Sequence, residues 1–181
     1  MIDGISATGG GIGQSVPRIE DDALLRGDGQ FIDDINVAGQ VHAHFLRSPH
    51  AHAMIARIDT EAAVVAPGVV AVLTGADLAE DGIGVLKSGY PVKNRNGSPV
   101  TPPMWRAMAT DCVRYVGDTV AVILAETTVQ AADAAALIDI DYDERSCVTD
   151  LTQASGADAP VIWDALGSNV VLDWETGDKA G

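Results

Sequence analysis

The most informative pattern of hydrophobic and polar positions runs from Cys112 to Glu144. Within it, Thr119 to Ala125 is an almost unbroken apolar run rich in valine and isoleucine. The run is too short to cross a membrane, so it predicts a strand covered on both faces. Further along, Ile138 to Asp143 alternates apolar side chains with aspartates. Because successive side chains of a strand point to opposite faces, this predicts a strand with one solvated face.

An alanine-rich helix is predicted between these two strands. Thr127 and Thr128 can cap its first turn with a hydroxyl group. Val129, Ala132 and Ala136 then fall at helical spacing and form an apolar stripe. The whole segment therefore predicts the order strand, helix, strand.

A similar order is predicted earlier in the chain. Val41 to Arg47 indicates a first strand, and Ala53 to Ile58 indicates a second after a turn at Ser48 to His50. Asp59 and Thr60 can cap a short helix that the following Pro-Gly pair ends. Val69 to Leu73 then predicts another strand, which completes this unit.

The remaining segments lack strong periodicity. Ala79 to Pro103 is rich in Gly, Pro, Asn and Ser and predicts a long irregular excursion, while Val170 to Trp174 alternates enough for a last short strand. We divide the chain into a flexible N-terminal arm (1–17), a folded domain (18–150) and an irregular C-terminal segment (151–181). The predicted fold class is α/β of the α+β type, with a mixed sheet containing two strand-helix-strand units.

Composition and charge narrow the classes of function. In 181 residues, 47% are hydrophobic, which favours a folded core, and 11 Lys and Arg stand against 26 Asp and Glu, a formal net charge of −15. This charge repels a polyanion, so we expect no nucleic-acid partner. The sequence offers no apolar run of membrane-spanning length and no signal-peptide pattern at its start, so we expect no membrane partner and a cytoplasmic location. Cys112 and Cys147 lack the CxxC spacing of zinc or iron–sulfur sites.

Two histidine pairs are the strongest candidates for metal ligands. His42 and His44 are two residues apart on a predicted strand, which places both rings on one face, and His50 and His52 repeat the spacing. However, no carboxylate stands at ligand spacing beside them, and Pro49 forces a turn between the pairs. We therefore favour an ordinary structural role and predict no metal-binding residue.

Glycine-rich segments suggest phosphate loops but lack the required context. A phosphate cradle needs a preceding strand and a following helix, and neither is predicted beside them. We interpret them as a flexible arm and a turn. The glycines concerned are Gly9, Gly10, Gly11 and Gly13 in the first group and Gly27 and Gly29 in the second.

Carboxylates and serines give no catalytic constellation. We interpret Glu20 to Asp22 as a solvated charge run and Asp139 to Asp143 as the wet face of a strand. Asp118 is the acidic residue whose position is most constrained, and we expect it to bond backbone amides in a turn. Ser48 and Ser98 lack a nucleophile-elbow motif.

Four distinctive sequence phrases follow one another along the chain, at Arg18 to Ile35, Phe45 to Ala53, Pro67 to Leu78 and Val113 to Thr127. Together and in this order they resemble the N-terminal part of the molybdopterin-binding large subunit of the xanthine dehydrogenase and aldehyde oxidase family. The resemblance extends over Gly11 to Asp178 and is nearest to the bacterial branch that includes aerobic carbon monoxide dehydrogenase. It implies an α/β-hammerhead domain.

The resemblance also implies chemistry outside this sequence. Family members hydroxylate a carbon centre with oxygen from water at a molybdenum–pterin cofactor, and a glutamate acts as base. Electrons leave through iron–sulfur clusters and FAD in partner subunits. The glutamate and the pterin loops belong to family sequence that follows this region, so we expect no catalytic, cofactor-binding or metal-binding residue here. The sequence ends at Gly181, and we interpret the chain as an excised domain or a split subunit.

Three functions remain open. The first is a structural domain that walls the substrate approach and contacts the remainder of the large subunit and the iron–sulfur and flavin subunits. The second is a free-standing, non-catalytic binding or adaptor module. The third is a metal-binding protein that uses the histidine pairs. The substrate, whether carbon monoxide, an aldehyde, a purine or another N-heterocycle, is not encoded in these residues.

Overall fold

The computed structural model describes residue 13, residues 16–87 and residues 92–177. The chain divides into two compact units, residues 1–40 and 41–181. Most of the predicted arm, 1–17, lies outside the described residues.

The first unit contains one short α-helix that was not predicted. Helix α1 spans Asp21–Arg26 and ends at Gly27, whose φ of 77° suits glycine. The acidic run from Glu20 opens this helix, because carboxylates in a first turn complement the helix dipole. Gly27 is thus a helix cap, which agrees with its interpretation as a turn. A 3-10 turn follows at Ile32–Asp34.

In the second unit, a three-stranded antiparallel sheet is centred on the most apolar segment. Its order is β1 (His42–Arg47), β5 (Thr119–Ala125) and β3 (Val69–Thr74). Five residues of β5 are buried, and only Val122 and Leu124 are half-buried. The strand predicted there is confirmed with the same bounds, but its predicted cover on both faces is incomplete, because Val122 and Leu124 lie on the less buried face.

A second antiparallel sheet has the order β4 (Cys112–Val113), β2 (Ala53–Asp59) and β6 (Asp139–Glu144). Along β6, Ile140 and Tyr142 are half-buried, whereas the aspartates between them are exposed. The predicted solvated face of this strand is confirmed.

The described residues of this unit also form three short α-helices, α2 (Glu61–Val64), α3 (Gly75–Glu80) and α4 (Thr128–Ala135), and a 3-10 turn at Asp164–Leu166. The Asp59 carboxylate accepts a hydrogen bond from the Glu61 amide at 3.1 Å, and the Thr127 hydroxyl accepts one from the Gln130 amide at 3.2 Å. Both predicted caps are therefore present, although Thr60 supplies no side-chain cap for α2.

The prediction of one mixed sheet is wrong. All strand pairs are antiparallel, and each predicted strand-helix-strand unit connects the two sheets: α2 joins β2 to β3, and α4 joins β5 to β6. The acidic face of β6 explains part of this arrangement. Its aspartates need contact with water, which the second sheet allows, whereas a place beside the mostly buried β5 would desolvate them.

The predicted apolar stripe of α4 is also wrong. Val129 is 66% exposed, and Ala132 and Ala136 are exposed too. The helix instead buries the stripe Ala131, Ala134 and Ala135 against Ile123 and Ala125 of β5. The alanine-rich helix has two apolar stripes that could face the sheet. The buried stripe lacks a valine, so the helix can approach the sheet more closely than it could through Val129.

The last predicted strand, Val170 to Trp174, does not form. The segment bonds to the long excursion instead: the Arg95 amide donates to the Asp173 carbonyl at 2.7 Å, and the Asp173 amide donates to the Asn94 side chain at 3.0 Å. The excursion is irregular over its described residues beyond α3, as predicted.

Buried side chains form two clusters in this unit. One lies between α4, α2 and the first sheet, around Ile123, and the other joins Val120 to Val113 and Ala53 of the second sheet. The central strand β5 therefore contributes to both clusters. Among the described residues, no helix has the length and apolarity required to cross a bilayer.

Candidate functional site

The structure separates the two histidine pairs. His42 and His44 lie on one half-buried face of β1, as predicted. His50 contacts Glu144, with 3.2 Å between its Nδ1 and a carboxylate oxygen, and its ring lies 4.7 Å from that of Tyr142. His52 is buried, and its Nδ1 lies 2.9 Å from the Ser146 carbonyl oxygen.

These contacts give each histidine of the second pair a structural partner. Across the described part of the chain, no three His, Cys, Asp or Glu side chains are grouped so that they could hold a metal ion. The donor set does not fit a resident metal centre. The hypothesis of a histidine metal site therefore has no geometric support.

Asp118 has the turn geometry that was predicted. Its carboxylate accepts a hydrogen bond from the Arg114 amide at 3.1 Å, and its carbonyl accepts one from the Ser48 amide at 2.8 Å. Ser48 is buried, and its hydroxyl accepts from the His50 amide at 3.0 Å. Asp118 and Ser48 thus fix two adjoining turns.

The other candidates also have ordinary surroundings or lie outside the description. Ser98 accepts a hydrogen bond from the Asn94 side-chain amide at 3.0 Å. Gly13 has a φ of 91°, whereas Gly9, Gly10 and Gly11 lie outside the described residues.

Aromatic and arginine side chains line a groove in the second unit. Its volume is about 300 Å³. We call it the aromatic groove and define it by Trp105, Arg106, Met108, Cys112, Arg114, Asp118 and Trp163.

Aromatic contacts organise this groove. The rings of Trp105 and Trp163 meet edge to face with centroids 5.3 Å apart, and Tyr115 lies 5.9 Å from Trp105. The Arg114 guanidinium lies over the Trp163 ring, with 4.2 Å between its central carbon and the ring centroid. Arg114 also donates to the Cys112 carbonyl at 3.0 Å, so the guanidinium is already held by the protein.

Two ionisable groups beside the groove, Cys112 and Tyr115, are poorly suited to catalysis. Burial raises the pKa of the Cys112 thiol, which keeps it protonated and weakly nucleophilic at neutral pH. Burial, with a smaller contribution from Asp118, also raises the pKa of Tyr115. The groove can pack against a flat apolar group, but these two residues offer it neither a thiolate nor a phenolate.

Sequence reasoning missed this groove because its aromatic residues come from irregular segments far apart in the chain. Trp105 follows the long excursion, Trp163 lies in the C-terminal segment and Arg114 follows β4. The tryptophans could have indicated the groove, since large aromatic residues in irregular segments usually need a packing partner.

Comparisons with known proteins agree with the fold. Residues 26–146 match the family described as aldehyde oxidase and xanthine dehydrogenase, a/b hammerhead domain. The nicotine 6-hydroxylase large subunit of Paenarthrobacter nicotinovorans is 42% identical over 139 residues, which is 77% of this chain and 16% of that protein.

Two solved structures show the same arrangement. Quinoline 2-oxidoreductase from Pseudomonas putida 86 is 36% identical with a TM-score of 0.71, and the Cu,Mo carbon monoxide dehydrogenase is 31% identical with a TM-score of 0.71. Each alignment covers 88% of this chain and 19% of the other chain. The chain thus spans less than a fifth of the length of these relatives, and the predicted resemblance and hammerhead fold are confirmed. This chain belongs to the aldehyde oxidase and xanthine dehydrogenase family, within which it forms an α/β-hammerhead domain.

Proposed function

We propose that this chain is a non-catalytic structural domain in the large subunit of a molybdenum hydroxylase. The observation that carries the proposal is the hammerhead match over residues 26–146, combined with relatives of which the chain spans only 16–19%. In this proposal the domain walls part of the substrate approach and contacts other subunits, while other polypeptide supplies the chemistry.

Two features of the second unit support a packing role. The aromatic groove has an exposed rim, since Trp105 is 41% exposed. The long excursion is held in place by the C-terminal segment, where Arg95 forms an ion pair with Asp173 at 2.9 Å. A loop that is tied to a second segment near Arg95 and lies in the same unit as an exposed aromatic surface is typical of a region that meets another polypeptide.

The proposed complete enzyme hydroxylates a carbon centre with oxygen from water. Its molybdenum–pterin cofactor is bound by the remainder of the large subunit, and partner subunits hold the iron–sulfur clusters and FAD. None of the residues of this chain acts as catalytic base or ligand, and the assembly works in the cytoplasm. Because the donor set described above does not fit a metal centre, no chemical step is assigned to these residues.

A pull-down experiment tests the proposal. The tagged chain is co-expressed with the remainder of the large subunit and with the iron–sulfur and flavin subunits encoded beside it, and the recovered proteins are identified by mass spectrometry. We expect all of them to be recovered with the chain. Recovery of none, or a gene neighbourhood without these reading frames, contradicts the proposal and favours a free-standing adaptor.

A further inference from the structure

The first sheet has an apolar face that points away from α4. The strand register places six side chains of this face in two neighbouring rows across β1, β5 and β3. We call them the open face: Ala43, Leu124 and Ala71 in one row, and Phe45, Val122 and Leu73 in the other.

The opposite face of the same sheet is the one that the helix covers. Ile123 and Ala125 pack against the buried alanines of α4, and strand geometry directs Val122 and Leu124 to the other side. Neither cluster of buried side chains among the described residues includes a member of the open face. On β1, Ala43 and Phe45 are exposed, Phe45 by 49%, whereas the four side chains that β3 and β5 contribute are half-buried.

The open face is uncharged in a strongly acidic protein. None of its six side chains is ionisable, although the chain carries 26 acidic and 11 basic residues. Arg47 lies at the border of the open face, with its guanidinium carbon 5.8 Å from the Phe45 ring centroid. This guanidinium already donates a hydrogen bond to the Gly117 carbonyl at 2.9 Å. By contrast, the outward side chains of β6 are aspartates. A surface that excludes charge in this way fits an apolar partner surface better than solvent.

The open face continues to an unguarded sheet edge. Strand β3 is the last strand of its sheet, and its sequence from Val69 to Thr74 contains neither charge nor proline. Solvent-facing edge strands usually carry such residues, which discourage pairing with other chains. An edge without them is typical of a strand that another polypeptide covers.

We propose that the open face is the surface on which the remainder of the large subunit docks, through an apolar surface of its own. This inference rests on the proposed function. Its occupant follows from the size of the relatives: the chain spans 16% of the nicotine hydroxylase subunit and 19% of the quinoline enzyme chain, so most of each protein lies outside the matched region. A covalently linked polypeptide reaches a nearby face at high effective concentration, so it is the favoured occupant.

The experiment co-expresses the tagged 181-residue chain with the remainder of the large subunit as a separate polypeptide and measures the ratio of the two proteins after affinity purification. The test variant is Phe45→Lys. We expect its recovery of the remainder to fall at least about tenfold, because docking would bury an unpaired ammonium group. The matched control is Val129→Lys, on the outer side of α4 and 66% exposed, and we expect it to recover as much as the unaltered chain.

The outcomes distinguish this inference from the proposed function. If the unaltered chain recovers no remainder, the proposed function fails and the docking surface fails with it. If the unaltered chain and Phe45→Lys recover it equally, the function stands and the docking surface is overturned. Self-association of the unaltered chain in sedimentation experiments, abolished by Phe45→Lys, would identify a second copy as the occupant and also overturn the inference. Should Phe45→Lys fail to fold by circular dichroism, Ala43→Glu in the neighbouring row takes its place with the same expected loss.

Discussion

The guanidinium of Arg114 lies over the indole of Trp163, with its central carbon 4.2 Å from the ring centroid. Arg114 directly follows β4, whereas Trp163 lies in the irregular C-terminal segment. This contact therefore attaches the C-terminal segment, at the start of its 3-10 turn Asp164–Leu166, to the end of β4. A cation over an indole is the most favourable of the cation–π pairs, particularly when it is partly shielded from water.

A double-mutant cycle with Arg114→Met and Trp163→Leu measures this contact. We expect a coupling free energy of about 0.5–2 kcal/mol in urea unfolding, because each single substitution already removes the interaction. The matched control is a second cycle that combines Arg114→Met with Trp174→Leu, since Trp174 is an exposed tryptophan of the same segment. A coupling that is equal for the two tryptophans would show that the stacking does not hold the segment.

A substitution at Gly75 tests the close approach of α3 to the loop before β4. Gly75 is buried, and a Cβ atom there would fall on the carbonyl oxygen of Ala109 and within 3.1 Å of the Thr110 methyl group. We expect Gly75→Ala to destabilise the fold by about 1–3 kcal/mol, although alanine is the better helix former. Gly84→Ala is the control, since a Cβ there meets open space. Equal thermal midpoints for both variants would contradict the packing described.

Removal of the cap of α4 is expected to weaken the helix that covers the first sheet. The Thr127 hydroxyl accepts from the Gln130 amide, so Thr127→Ala leaves that donor without its cap and should cost about 1 kcal/mol in chemical unfolding. Thr128→Ala changes the same side chain one position later, inside the helix, where alanine is favourable. Equal destabilisation of Thr128→Ala and Thr127→Ala would contradict the assignment of Thr127 as the cap of α4.

The capping box of α3 predicts a dependence of stability on pH. The Asp77 carboxylate accepts from the Thr74 hydroxyl at 2.7 Å and from its amide at 2.6 Å, and these bonds, the hydroxyl first, lower the pKa of Asp77. A depressed pKa in the folded state stabilises the protein above the unfolded pKa of about 4 and loses that stabilisation as pH falls through the folded value. Asp77→Ala should therefore flatten the acid limb of a plot of unfolding free energy against pH. Asp133→Ala, an exposed aspartate of α4, should leave that limb unchanged.

Local patterns predicted individual elements well. The apolar run of β5, the alternation of β6 and the threonine cap of α4 are each read from neighbouring residues, and each is present. Helix α3 was not predicted although Thr74 and Asp77 have the spacing of a capping box, because residues 74–78 were assigned no element and the excursion was taken to begin at Ala79.

Relations between distant elements could not be predicted in the same way. Which alanines of α4 are buried depends on the surface of β5, and the assignment of β6 to the second sheet depends on pairing with β2. The aromatic groove brings Trp105 and Trp163 together only through the tertiary fold. Periodicity carries no information on such contacts, so the resemblance to a family was needed to predict the hammerhead.

The central claim is that this chain is a scaffold whose reactive centre is supplied by other polypeptide. Its most direct test is the molybdenum content, by elemental mass spectrometry, of the 181-residue chain purified alone from a host that makes the molybdenum–pterin cofactor. We expect no molybdenum above background in the chain alone and near-stoichiometric molybdenum when it is purified with the remainder of the large subunit. Stoichiometric molybdenum in the isolated chain would contradict it.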